Sequence, residues 1–99
     1  MTNNILTIDE IQNAIKPIAE ENNLESVYLF GSYARGEADK ESDIDILFTM
    51  KNKIPGMLIL CNLKYIISNT LGKDVDIFFA KDINDSKYDH FREDIIKLC

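Results

Sequence analysis

Two apolar segments that favour β-strand surround a short polar stretch, and this feature constrains the fold most strongly. The first segment, residues 27–30, ends in a Gly-Ser pair, and the second, residues 44–48, begins beside two carboxylates. Aliphatic and aromatic side chains dominate both segments, which favours buried strands. Asp43 and Asp45 are separated by one residue, so an extended backbone places both on one face. The sequence therefore predicts two strands joined by a turn, with paired acidic side chains at the start of the second.

A capping box precedes the first run of helical periodicity. Thr7 can accept a hydrogen bond from the amide of Glu10, and the Glu10 side chain can reach back to the amide of Thr7. Apolar residues then recur every three or four positions, which predicts a helix over residues 8–21. Pro17 lies late in this window and is expected to kink or shorten the helix.

The second half of the chain carries further helix and strand signals. Apolar spacing predicts a helix over about residues 55–71, ended by Gly72, and alternation over residues 75–79 predicts a third strand. The tail predicts a last helix from four apolar residues at helical spacing, which are Tyr88, Phe91, Ile95 and Leu98. This order indicates an α+β fold, a two-layer α/β sandwich with a small mixed sheet, as a single domain over residues 1–99.

Composition argues against several classes of protein. The net charge of −6 disfavours a surface that binds nucleic acid directly, and a basic protein partner or a metal-bound nucleotide is the better expectation. The apolar stretches are too short to span a membrane and the amino terminus lacks a secretion signal, so we expect a cytoplasmic protein. Cys61 lies in an apolar segment and is predicted to be a core residue, and Cys99 is predicted to be a free thiol.

A third carboxylate is expected near the first two. Strands two and three are connected through a helix, and such crossovers join parallel strands, whose amino-terminal ends lie at the same edge of a sheet. If the two strands are neighbours, Asp76 therefore converges on Asp43 and Asp45. Three like charges repel one another, so a site that keeps them ionised needs compensating cations. Carboxylate oxygens with room for phosphate indicate Mg²⁺, with Mn²⁺ as the alternative.

The turn between the first two strands is suited to phosphate. Gly31 lets the backbone approach a phosphate without an intervening Cβ, and Ser32 adds a hydroxyl and an amide. Arg35 could neutralise phosphate charge, or it could brace the turn against a carboxylate. The sequence leaves the roles of three lysines open, although solvated positions are the commoner outcome; they are Lys40, Lys64 and Lys73.

These segments resemble the signature of the minimal nucleotidyltransferase (MNT) family of the DNA polymerase β superfamily. The family pattern reads G-S-x-A-R-G, followed by S-D-x-D and an apolar stretch, and residues 31–36 and 42–45 match it position for position. The family's third carboxylate lies between two apolar residues, as Asp76 does. Asp74 shares a strand face with Asp76 and is interpreted as structural. Tyr33 occupies the variable position of the pattern and is given no catalytic part.

The resemblance implies a polymerase β-like nucleotidyltransferase core without the extra domains of larger relatives. Asp43, Asp45 and Asp76 would be the catalytic and metal-binding residues, and Gly31, Ser32 and Arg35 would bind the nucleotide. Many members of the family are antitoxins that transfer AMP from ATP to a tyrosine hydroxyl of a HEPN-domain ribonuclease toxin. The implied substrate is therefore ATP, and the implied partner is a HEPN toxin.

Two other functions compete with this interpretation. The chain could be a stoichiometric antitoxin or binding module with a vestigial nucleotide site, although binding alone would not require three clustered carboxylates. Modification of a small molecule, as in aminoglycoside nucleotidyltransferases, is disfavoured because no second domain is expected to enclose a sugar.

Overall fold

The computed structural model describes residues 5–51, 54–84 and 94–99. They form a four-stranded mixed sheet with the two longer helices on one face, which confirms the α+β, two-layer fold. In chain order the elements are α1 (Ile8–Glu21), β1 (Leu24–Phe30), α2 (Ser32–Arg35), β2 (Ile44–Met50), α3 (Met57–Leu71), β3 (Val75–Phe79) and β4 (Ile96–Lys97).

Helix α1 has the predicted bounds. The Thr7 amide donates to Glu10 Oε1 at 2.8 Å, and the Glu10 amide donates to Thr7 Oγ1 at 3.1 Å, so the capping box is complete. Pro17 lies inside the helix and does not shorten it. The helix ends where Asn23 takes a left-handed backbone with φ of 58°, a conformation that asparagine tolerates better than most residues.

The sheet has the strand order β3-β2-β1-β4. Strand β1 pairs antiparallel with β2 and with β4, whereas β2 pairs parallel with β3. The chain passes from β2 to β3 through α3, so the predicted parallel crossover is confirmed. Strands β2 and β3 therefore begin at the same edge of the sheet.

The hydrophobic core lies between the sheet and the two longer helices. Alternate residues of each strand face the helices, and the others face the opposite side of the sheet. Inward-facing side chains of β1, β2 and β3 pack against one face each of α1 and α3. The core formed by these strands and helices includes Ile11, Ile15, Val27, Leu29, Ile44, Ile46, Phe48, Leu63, Ile67 and Val75. The opposite face of the sheet, which carries Asp45 and Asp76, is called the open face below.

The predicted tail helix is wrong at its carboxyl end. Ile96–Lys97 forms β4, and the Leu98 amide donates to the Val27 carbonyl at 2.8 Å. The outer edge of β1 offers backbone groups that need partners, and the extended tail supplies them. The rest of the predicted helix, with Tyr88, His90 and Phe91, lies outside the described residues.

The prediction that Cys61 belongs to the core is also wrong, because this side chain is exposed. Helix α3 buries Leu63 and Ile67, and Cys61 is two residues before Leu63, which rotates it by about 200° around the helix. The same geometry exposes Met57 and Leu58.

Candidate active site

The turn after β1 closes directly against Asp45. Gly31 has φ of 78° and ψ of −154°, a backbone region that is essentially restricted to glycine. A Cβ at this position would collide with Oδ2 of Asp45 and lie 3.2 Å from its Cγ. Any side chain at Gly31 would therefore occupy the space of the carboxylate. The group that a Cβ at Gly31 would meet is Asp45, and the approach of this glycine to a phosphate stays a prediction.

Helix α2, which sequence reasoning described only as a turn, contains the remaining residues of the motif. Ser32 is its first residue and is partly buried. Arg35 Nε donates to Glu37 Oε1 at 3.0 Å, so the arginine braces the turn in the way that the sequence left open. Tyr33 is 4% exposed in the core, and its hydroxyl has no hydrogen-bond partner within the described parts of the chain.

The carboxylates are brought together by the sheet register. Asp45 of β2 is the direct neighbour of Asp76 of β3 in the parallel pairing. Asp43 lies one residue before β2 and is exposed. Within residues 5–51, 54–84 and 94–99, no three acidic, histidine or cysteine side chains are grouped closely enough to hold a metal ion as they stand. The structure therefore shows an adjacent pair with a third carboxylate beside it.

The electrostatics of Asp45 show that negative charge is concentrated here. Partial burial raises the pKa of the Asp45 carboxyl, and the charges of Asp76 and Asp43 raise it further, while Arg35 acts in the opposite direction. Lys64 Nζ lies 3.9 Å from Asp76 Oδ1, with both side chains about half exposed. An added cation would therefore be attracted to this group of carboxylates.

Asp74 and two of the lysines lie at the edge where β2 begins. The Asp74 carbonyl accepts a hydrogen bond from the Ile44 amide at 3.0 Å, and Lys73 Nζ donates to the Lys40 carbonyl at 3.1 Å. An open pocket of about 510 Å³ lies between this edge and the end of α3 and reaches Asp43. The α3 residues that line it, Ser68 and Asn69, had no distinguishing signal in the sequence.

The fold and this site define a nucleotidyltransferase. The family model described as "Polymerase beta, Nucleotidyltransferase" matches residues 13–98, and the chain belongs to this family. The match confirms the resemblance found in the motif and makes the chain an enzyme of the nucleotidyltransferase class.

Individual relatives agree with this assignment. The protein adenylyltransferase MntA of Thermococcus cleftensis is 35% identical over 77 residues, which cover 74% of this chain and 77% of that protein. A toxin-antitoxin structure with AMP-PNP has a similar fold, with a TM-score of 0.77, 24% identity and coverage of 89% and 72% of the two chains. A tri-AMPylated HEPN toxin in complex with an MNT antitoxin from Shewanella oneidensis gives a TM-score of 0.72 at 21% identity, covering 94% and 72%.

No helix in the described parts of the chain is long and apolar enough to cross a bilayer.

Proposed function

We propose that this nucleotidyltransferase transfers AMP from ATP to a hydroxyl group of a partner protein in the cytoplasm, the partner being a HEPN-type toxin and the acceptor a tyrosine. One observation carries the proposal. Asp45 stands next to Asp76 across two parallel strands while the Gly31 backbone closes on Asp45 from the other side. A phosphate-binding turn and paired carboxylates are thus in contact with one another.

The oxygen chemistry of the donor set suits a divalent metal ion, which would have to draw Asp43, Asp45 and Asp76 closer together than they stand. Asp43, Asp45 and Asp76 offer hard carboxylate oxygens, which suit Mg²⁺ or Mn²⁺. Partial burial raises the pKa of the Asp45 carboxyl most, and the charges of Asp76 and Asp43 add to it; a cation bound here would offset these charges. When bound, the metal would supply charge neutralisation for the triphosphate and for the attacking oxygen.

The residues of the turn bind and orient the nucleotide. The Gly31 backbone can approach a phosphate because it carries no Cβ. Ser32 adds its amide and hydroxyl, and Arg35 directs positive charge toward the same region, as its effect on the pKa of Asp45 indicates. These residues lie at the end of β1, so we place the triphosphate on the β1 side of Asp45.

The acceptor approaches from the opposite side. Asp76 is on β3, one of the two edge strands of the described sheet, and its side chain is about half exposed. The acceptor oxygen attacks the α-phosphorus, the new P–O bond forms as the bond to pyrophosphate breaks, and the hydroxyl proton passes to the Asp76 carboxylate. Pyrophosphate is released, and the acceptor carries one AMP group for each turnover.

Relatives support the nature of the donor and the partner. The Thermococcus relative is named a protein adenylyltransferase, and fold neighbours include an AMP-PNP complex and an antitoxin bound to an AMPylated HEPN toxin. The acidic net charge of this chain suits a basic protein surface better than nucleic acid.

The test is incubation with a HEPN-type toxin as the candidate partner, ATP and Mg²⁺, followed by intact-mass spectrometry and peptide mapping. We expect the toxin to gain one AMP mass or a small multiple of it, on tyrosine. Asp43→Asn should abolish the gain, and Asp74→Asn is the matched control that should retain it. A toxin that is inhibited without modification, and equally well by the Asp43→Asn protein, would establish a stoichiometric antitoxin instead.

A further inference from the structure

The open face of the sheet carries two aromatic side chains beside the carboxylates. The rings of Phe30 and Phe78 contact each other with centroids 5.5 Å apart and planes inclined at 58°, a tilted arrangement that is favourable for aromatic pairs. Phe78 is nevertheless 47% exposed. An exposed phenyl ring next to a reactive centre offers a surface for another ring.

The sheet register fixes where these rings lie. Phe30 on β1 is the direct neighbour of Asp45, and Phe78 follows Asp76 by two residues on the same face of β3. Leu47 of β2 is paired with Phe78 and is 1% exposed, although it faces away from α1 and α3. The open face therefore continues from the carboxylate row into an apolar surface, the aromatic floor, made by the paired rings of Phe30 and Phe78 beside the buried Leu47.

We propose that the aromatic floor, and Phe78 above all, is an acceptor subsite that takes the ring of a hydroxyl-bearing aromatic side chain. Phe78 is a specificity-determining residue for tyrosine over serine and threonine. The proposal rests on the transfer reaction proposed above, because it assigns the attacking hydroxyl to the Asp76 side of the site.

The position of Phe78 favours the acceptor over the nucleobase. The phosphate-binding turn follows β1, whereas the backbone positions of Phe78 and Asp76 both lie on β3, across β2 from that turn. Residues two apart on a strand are separated by about 6.6 Å, which is close to the length of a tyrosyl side chain from hydroxyl to Cβ. A phenol oxygen at Asp76 therefore places its ring over Phe78. The shorter side chains of serine and threonine have no ring to place there.

The experiment measures acceptor binding apart from transfer. The probes are N-acetyl-tyrosinamide and N-acetyl-serinamide. Each is added to the protein with Mg²⁺ and an ATP analogue that cannot be cleaved between the α and β phosphorus atoms. Binding of the probe is followed by NMR titration. We expect Phe78→Ala to weaken tyrosinamide binding about tenfold, the loss expected for one aromatic contact. Phe78→Trp should retain binding. Tyr65→Ala, which removes an aromatic ring 68% exposed on α3, is the matched control and should have no effect.

Three results would overturn the subsite. They are equal binding of tyrosinamide to wild type and Phe78→Ala, equal binding of the two probes to wild type, and a loss of affinity for the ATP analogue as large as the loss for tyrosinamide. The last result would assign the ring to the base.

Transfer to the toxin separates this proposal from the previous one. AMP reaching tyrosine with the same KM for the toxin in wild type and Phe78→Ala would leave the transferase standing and remove the subsite. No AMP on the toxin, together with Phe78-dependent binding of tyrosinamide, would overturn the proposed transfer to the toxin and leave only a tyrosine-binding surface at Phe78.

Discussion

Replacement of Gly31 by alanine tests the architecture of the site most directly. The new methyl group meets two obstacles at once: a backbone with φ of 78° and ψ of −154°, and the Oδ2 atom of Asp45 in the space where Cβ must go. Gly36→Ala meets only the first kind of obstacle. Gly36 also has a positive φ, of 73°, but its Cβ would lie more than 4 Å from other atoms. The two variants therefore separate backbone strain from the collision with the carboxylate.

The expected magnitudes follow from this difference. A left-handed alanine at Gly36 costs about 1–2 kcal/mol. The conformation at Gly31 alone costs about 1–3 kcal/mol, and moving Asp45 adds to this, so we expect a total of roughly 3 kcal/mol or more. In a domain of this size 1 kcal/mol lowers Tm by about 4–8 °C. Gly31→Ala should thus melt well below Gly36→Ala, and it alone should lose AMP transfer, because Asp45 is displaced.

A double-mutant cycle with Asp45→Ala completes the test. Removing the carboxylate removes the obstacle, so Gly31→Ala should cost less in the Asp45→Ala background than in wild type, by about 1 kcal/mol or more. The measurements are thermal and denaturant unfolding. Equal costs in both backgrounds, with AMP transfer retained in Gly31→Ala, would refute the contact between the turn and the carboxylate.

The remaining predictions concern charge and reactivity. Asp45→Asn should abolish transfer yet raise Tm at neutral pH. The pKa of the Asp45 carboxyl is raised in the folded protein, so its charged form is disfavoured there. The gain in Tm should vanish well below pH 3.8, where this carboxyl is protonated in both the folded and the unfolded state. Asp76→Asn should abolish transfer and keep much of the ATP affinity, whereas Asp74→Asn should be mild; the reverse order in transfer assays would place the catalytic ion two residues earlier. Limited alkylation followed by peptide mass spectrometry should label exposed Cys61 before Cys99, whose thiol pKa is raised by burial.

The sequence predicted those parts of the fold in which local signals agree with tertiary packing. The capping box fixed the start of α1, and alternation located β3. Strand β1 begins earlier than predicted, at Leu24, because the Ser26 hydroxyl pairs with that of Thr49 across the sheet at 2.6 Å and so can be buried. That compensation depends on a partner strand and has no local signature. The prediction that Cys61 belongs to the core failed for a related reason. Helix α3 is apolar on most of its faces, and periodicity alone does not reveal which face is buried.

The candidate site was predictable to a similar depth. Placing Asp76 beside Asp45 needed only the rule for parallel crossovers, and the register agrees with it. The approach of Lys64 to Asp76 and the contact of Phe78 with Phe30 could not be predicted. Each depends on side-chain directions across separate elements, which spacing along the chain does not encode.

The parallel pairing of β2 with β3 also links chemistry to the order of folding. The antiparallel pair β1–β2 is closed by a shorter connection than β2 and β3. We therefore expect Gly31 to meet Asp45 first and Asp76 to join after α3 has packed. Contacts between distant parts of a chain form late, because the entropy of loop closure must be overcome first. A chain that has folded only as far as β2 therefore holds the phosphate-binding turn and lacks the residue that accepts the proton. The chain is therefore expected to transfer a nucleotide only after β3 has joined the sheet.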